Sequence, residues 1–207
     1  MNYDVIIVGA GPGGIFSAYE LTRLRPELKV AVFEAGHPLK NRKCPIDGVR
    51  VKSCIACKSC SIMSGFGGAG AFSDGKYNIT NDFGGTLYEY LGKAKALELM
   101  RYVDQINMAY GGEGTKLYST AGTKFKKLCM QNDLHLLDAS VRHLGTDINY
   151  VVLENLYAYL KEKVTPFQIS AVFIAFAGAL FIIKPGFSSL MQVGPALIGA
   201  LGGLGAG

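Results

Sequence analysis

The chain is predicted to open on an α/β fold, and three observations predict it. Val5, Ile6, Ile7 and Val8, led in by Asp4, form a continuous apolar run without a polar face, as a parallel strand buried on both sides requires. A glycine turn follows at once, and Ile15, Ala18, Leu21 and Leu24 then recur at helical spacing. Residues 29–33 make a second short apolar strand that closes on an acid, Glu34. Strand, turn, helix and strand in this order form the βαβ unit of a parallel sheet.

The turn is the most specific part of that unit. Gly9-Ala10-Gly11-Pro12-Gly13-Gly14 carries the spacing G-x-G-x-x-G at Gly9, Gly11 and Gly14. In such a turn the first glycine permits the tight bend, the second lets the backbone approach a pyrophosphate, and the third allows helix and strand to pack closely. The helix start beyond Pro12 and Gly13 offers free N–H groups and a positive dipole end to the phosphates. Glu34, twenty residues after Gly14, is placed to accept a hydrogen bond from the adenosine ribose. An acid there disfavours a 2′-phosphate, so FAD or NAD is expected ahead of NADP. The Val-Phe-Glu-Ala-Gly that follows resembles FAD-binding flavoproteins more than NAD dehydrogenases, and FAD is the expected cofactor. The first apolar run is not a secretory signal: it lacks a basic leader and glycines break it after five residues. A cytoplasmic N-terminal domain is expected.

Composition narrows the class. The 207 residues carry a net charge of +5. Lys184 is the single charged residue after position 164, so the first 164 residues hold a net +4. That mild excess, without an aromatic-basic stripe, gives no reason to expect nucleic acid. Five cysteines without a secretory signal point to thiol or metal chemistry rather than a disulfide scaffold.

Four of those cysteines cluster: Cys44, followed by proline, and then Cys54, Cys57 and Cys60 at two-residue gaps. Such gaps let thiolates converge on one ion or cluster, as in zinc and iron–sulfur sites. The triplet resembles the first three ligands of a bacterial ferredoxin run, but Ser64 stands where the fourth cysteine belongs. Cys44 would then supply the fourth ligand. The same spacing suits a redox-active dithiol facing a flavin, or inert thiols in a tight loop. Lys43, Arg50, Lys52 and Lys58 would favour thiolates in either active reading. Cys129 stands alone in a helical context and is expected in the core.

Residues 65–76 form a second glycine loop, with Gly65, Gly67, Gly68 and Gly70 exposing backbone N–H groups beside Phe66 and Phe72. The pattern suits close approach to a flat cofactor or a phosphate. The fingerprint, the stretch 42–45, the cysteine triplet, residues 65–76 and residues 143–147 together resemble an uncharacterised family of FAD-dependent dehydrogenases. The resemblance covers about residues 1–164. It implies a Rossmann-type FAD/NAD(P)-binding domain, redox chemistry on a small-molecule substrate, and a second glycine loop lying along the ribityl chain and isoalloxazine. No catalytic acid or base follows from it.

Between that loop and residue 164 the pattern reads as mostly helical. Leu87, Tyr90, Leu91, Ala94, Leu97, Met100 and Val103 predict one amphipathic helix over 87–110, with further helices over 125–132 and 151–163. His37, His135 and His143 share no ligand spacing, and His143 reads as structural.

Residues 165–183 and 185–207 are uncharged stretches of 19 and 23 residues, each long enough to span a bilayer. Lys184-Pro185-Gly186 breaks them into a hydrophobic helical hairpin, and Gly199, Gly203 and Gly207 supply a small-residue packing face. Residues 159–168 and 178–185 resemble EamA-type drug/metabolite transporters. The chain therefore reads as an incomplete α/β Rossmann-type domain, 1–164, followed by two membrane-inserting helices, 165–207. The late strands of the flavoprotein are missing, and a join between two families falls near residues 160–165. An FAD-binding oxidoreductase module, with an iron–sulfur, zinc or redox-thiol centre, is the first functional expectation. A membrane-embedded transporter fragment without redox activity is the alternative.

Overall fold

The computed structural model describes residues 2–166, which fall in one compact unit, Met1–Gln168. The predicted hairpin lies beyond the described residues. Among the described residues no helix is long and apolar enough to cross a membrane.

The first βαβ unit forms as its pattern predicts. Strand β1 (Val5–Val8) leads through the glycine turn into helix α1 (Pro12–Leu24), which returns to β2 (Val30–Phe33). β1 and β2 pair in parallel, Val5 opposite Val30 and Val8 opposite Phe33. Pro12 occupies the first helical turn, where its missing N–H leaves nothing unpaired. Ile15, Ala18 and Thr22 form the buried face of α1.

The next segment is irregular apart from two short 3₁₀ turns, Leu39–Asn41 and Gly68–Phe72. Then come β3 (Lys76–Ile79), α2 (Leu87–Leu91), α3 (Lys93–Asn107), β4 (Leu117–Ser119), α4 (Lys124–Met130), β5 (Ser140–His143), α5 (Gly145–Lys163) and β6 (Thr165–Pro166). β6 pairs in parallel with β2, so the first sheet runs β1-β2-β6. A second, antiparallel sheet runs β3-β5-β4.

Three expectations are corrected here. The helix predicted over 87–110 is broken at Gly92, whose φ of +78° is left-handed, and it ends in a π-type turn over Met108–Gly112. The second sheet was not expected, because its strands are only three or four residues long and largely polar. Cys129 is half-buried on α4, a helix without a buried residue, so it does not belong to the core.

The core is organised by α5. Val152, Leu153, Leu156 and Leu160 are buried with Ile15 and Ala18 of α1, Ile106 of α3, and Leu39, Phe66 and Ala71 of the irregular segment. The rings of Tyr19, Tyr110 and Tyr159 meet at 5.4–5.8 Å and join α1, the π-type turn and α5. Arg142 on β5 is paired with Asp104 on α3 at 2.6 Å, both nearly buried, and donates also to the Thr115 carbonyl. That ion pair fastens the second sheet to α3.

Candidate functional site

The two glycine segments come together at the C-terminal ends of β1 and β2, where open parallel sheets bind their ligands. Gly9 takes a φ of +95°, the left-handed conformation that the tight turn needs, and its N–H donates to the Phe33 carbonyl at 2.7 Å. A Cβ on Gly14 would overlap the Gly9 carbonyl oxygen. Gly11 and Gly13 instead face open space, with nothing within 4 Å of an added Cβ. The start of α1 has no side-chain cap and no acid in its first turn, so no side chain of that turn offsets its free N–H groups and dipole.

Glu34 does something the sequence pattern did not suggest. Its carboxylate accepts N–H bonds from Ala10 at 2.7 Å, Gly36 at 2.8 Å and Gly65 at 3.0 Å. One side chain thus ties the fingerprint turn, the end of β2 and the second glycine loop to one another. A carboxylate offers about four acceptor positions, so one is left for a ligand hydroxyl.

The second loop is seated directly on the first. The Gly67 N–H donates to the Ala10 carbonyl at 2.8 Å, and a Cβ on Gly68 would lie 3.2 Å from the Gly11 Cα. Gly65 holds a φ of +124° with no room for a side chain against His37 and Arg42. Gly70 is exposed, and its carbonyl accepts from the Asn149 side chain at 3.0 Å. Gly9, Gly11, Pro12, Gly13, Gly14, Glu34, Gly65, Gly67 and Gly68 therefore share one locality, with Gly70 at its margin.

Arg42 holds this arrangement from below. It is almost fully buried and donates to four carbonyls: Ser61 at 2.9 Å, Ile62 at 2.7 Å, Phe66 at 2.7 Å and Gly68 at 2.9 Å. Its guanidinium also lies over the Phe72 ring at 4.8 Å. Burial pushes its pKa down from the ordinary value, opposed by the nearby Glu34 carboxylate. Asn149 does the same work from α5, bonding Gly70 and Ala71 carbonyls and accepting from the Tyr77 hydroxyl at 2.7 Å. Neither role is visible in the sequence, since a clamp on carbonyls twenty or eighty positions away leaves no local pattern.

Beside Glu34 opens a largely apolar cleft. Ala10, Gly14, Ile15 and Val32 form one wall, Gly36, His37 and Pro38 another. Phe66, in an edge-on ring contact with Tyr157, lines it as well, with Leu160 and Lys161 of α5 and Val164 just past that helix.

The expected metal centre finds no support. Among the described residues no three histidine, cysteine or acidic side chains gather where they could hold an ion. Cys44, Cys54 and Cys57 are exposed and Cys60 is half-buried, all as free thiols. His143 is exposed on β5, its neighbour Arg142 being committed to Asp104.

A Thi4 family model matches residues 1–38. Thiamine thiazole synthase of Yarrowia lipolytica is 54% identical over 33 residues, which is 16% of this chain and 10% of that protein. The family match covers β1, the fingerprint, α1, β2 and Glu34, and stops before the cysteines and the second loop. It lends nothing to the transporter-like reading of residues 159–207.

Proposed function

We propose that residues 1–164 bind FAD and belong to a flavin-dependent oxidoreductase acting on a small-molecule substrate. The observation that carries this reading is the division of labour within the fingerprint: Gly9 left-handed, Gly14 packed, and Gly11 open above an uncapped helix start. That is the arrangement a pyrophosphate requires, and it adjoins a cleft with an acid at the position for ribose. The match of residues 1–38 to the Thi4 family and to a thiazole synthase supports the same reading of this segment.

In this reading Gly11, Gly13 and the first turn of α1 hold the pyrophosphate, and Glu34 takes the ribose on its remaining acceptor position. Gly65, Gly67 and Gly68 lie where the ribityl and flavin end would emerge. When bound, the flavin supplies the hydride or electron chemistry, and the chain supplies position and electrostatics.

The test is the visible spectrum of the full chain, purified in mild detergent, before and after dithionite. A flavin band that bleaches, and that is lost in Gly11→Ala, is the expected result. A colourless chain that takes up no added FAD would overturn the proposal.

A further inference from the structure

The triplet Cys54, Cys57 and Cys60 contributes nothing to the dinucleotide reading, yet its three thiols sit in different settings. Cys54 and Cys57 are exposed and Cys60 is half-buried. Upstream of Cys60 the chain is irregular, and Ala56, between the first two thiols, holds left-handed backbone at φ +50°. Such a conformation is strained for a non-glycine residue. From Cys60 onward the chain is anchored. The Cys60 carbonyl accepts from the Met63 and Ser64 N–H groups at 3.1 and 2.8 Å, and Arg42 grips the Ser61 and Ile62 carbonyls immediately after it. An exposed thiol thus stands three positions from one whose backbone is fixed.

We propose that Cys57 and Cys60 form a reversible disulfide by exchange with a low-molecular-weight disulfide. The exposed Cys57 thiolate attacks one sulfur of the small disulfide; a new S–S bond forms, the old one breaks, and one small thiol leaves. The Cys60 thiolate then attacks the Cys57 sulfur of the mixed disulfide and displaces the second small thiol. Two cysteine thiols are oxidised, one external disulfide is reduced to two thiols, and the two cysteine protons end on those thiols. The bond ties the exposed loop to the Arg42-held turn, which leads directly into the second glycine loop. This goes beyond the dinucleotide reading and does not depend on flavin binding.

The experiment equilibrates the full chain, in mild detergent, across ratios of oxidised to reduced glutathione, followed by acid quench, alkylation and peptide mapping. Trypsin cuts after Lys58, so a Cys57–Cys60 bond joins two peptides, whereas a Cys54–Cys57 bond stays within one. A single reversible transition is expected, with the joined peptides fragmenting to Cys57 and Cys60. Cys44→Ser and Cys54→Ser should keep it, and Cys60→Ser should lose it and accumulate a glutathione adduct on Cys57. The mapping needs no variant, so poor folding of Cys60→Ser would not obscure the answer. A Cys54–Cys57 linkage, no linkage at any ratio, or equal Cys57–Cys60 linkage in denaturant would each overturn the proposal.

Discussion

At the scale of single residues, the fingerprint glycines separate folding from binding. Gly14 has the Gly9 carbonyl oxygen where a Cβ would go, and backbone cannot swing aside as a side chain can. Gly14→Ala should therefore destabilise the domain by about 1–3 kcal/mol, the usual cost of forced overpacking. Gly11→Ala meets nothing within 4 Å, so its thermal midpoint should stay near that of the parent while its FAD affinity falls at least tenfold. Thermal unfolding and flavin titration of the two variants check both halves. Equal losses of stability in the two would remove the distinction between packed and open glycines. Much of this was legible from the sequence, because G-x-G-x-x-G encodes local backbone requirements. What Glu34 does was only half legible: its spacing suggests a ribose contact and its place at the end of β2, but its bond to Gly65 depends on a loop thirty positions away.

At the scale of elements, contacts between segments decide two further outcomes. Arg42 holds Ser61, Ile62, Phe66 and Gly68 through a planar fork of donors that a lysine ammonium cannot reproduce. Arg42→Lys should leave several buried carbonyls short of a donor, each costing about 1–3 kcal/mol. Limited proteolysis should then cut within residues 60–70 much faster than in the parent, and flavin retention should drop with it. Parent-like resistance would mean that the second glycine loop holds its shape without the guanidinium. The tyrosine cluster gives a pH dependence. Burial, with Tyr19 and Tyr159 adding to it, pushes the Tyr110 hydroxyl up to about 12 from its ordinary 10.0. A pKa raised on folding means the unfolded chain loses its proton first. The contribution of Tyr110 is therefore whole below pH 10 and declines as pH rises from 10 towards 12. Chemical denaturation at intervals from pH 8 to 11.5 should show that decline, and Tyr110→Phe should flatten it. These elements were legible where apolar spacing is strong, as in α1 and α5. The second sheet was not, because strands such as Lys76–Ile79 and Ser140–His143 owe their place to pairing rather than to an alternating apolar pattern.

At the scale of the molecule, the sequence predicts a parallel sheet short of strands, and β1 shows the consequence. Its apolar run has the character of a strand covered on both faces, yet Ile6 is 57% and Val8 80% exposed. Among the described strands β1 pairs with β2 alone, so among the described residues it is an edge strand with an exposed apolar surface. The fold class could be read from residues 3–34, because a βαβ unit is defined locally. How far the sheet extends could not, because strand count depends on partners that short-range pattern does not name. An open apolar edge is a template for pairing with another chain. The full chain should therefore self-associate with rising concentration, even in mild detergent that screens the uncharged stretches after residue 164. Ile6→Lys places a charge on that edge, the device by which natural edge strands resist pairing. Since the side chain already faces solvent, stability should move by no more than about 0.5 kcal/mol. Light scattering against concentration should fall clearly in Ile6→Lys, with an unchanged far-ultraviolet spectrum. If scattering stays as in the parent, β1 is not the sticking surface, and its exposed edge is tolerated as it stands.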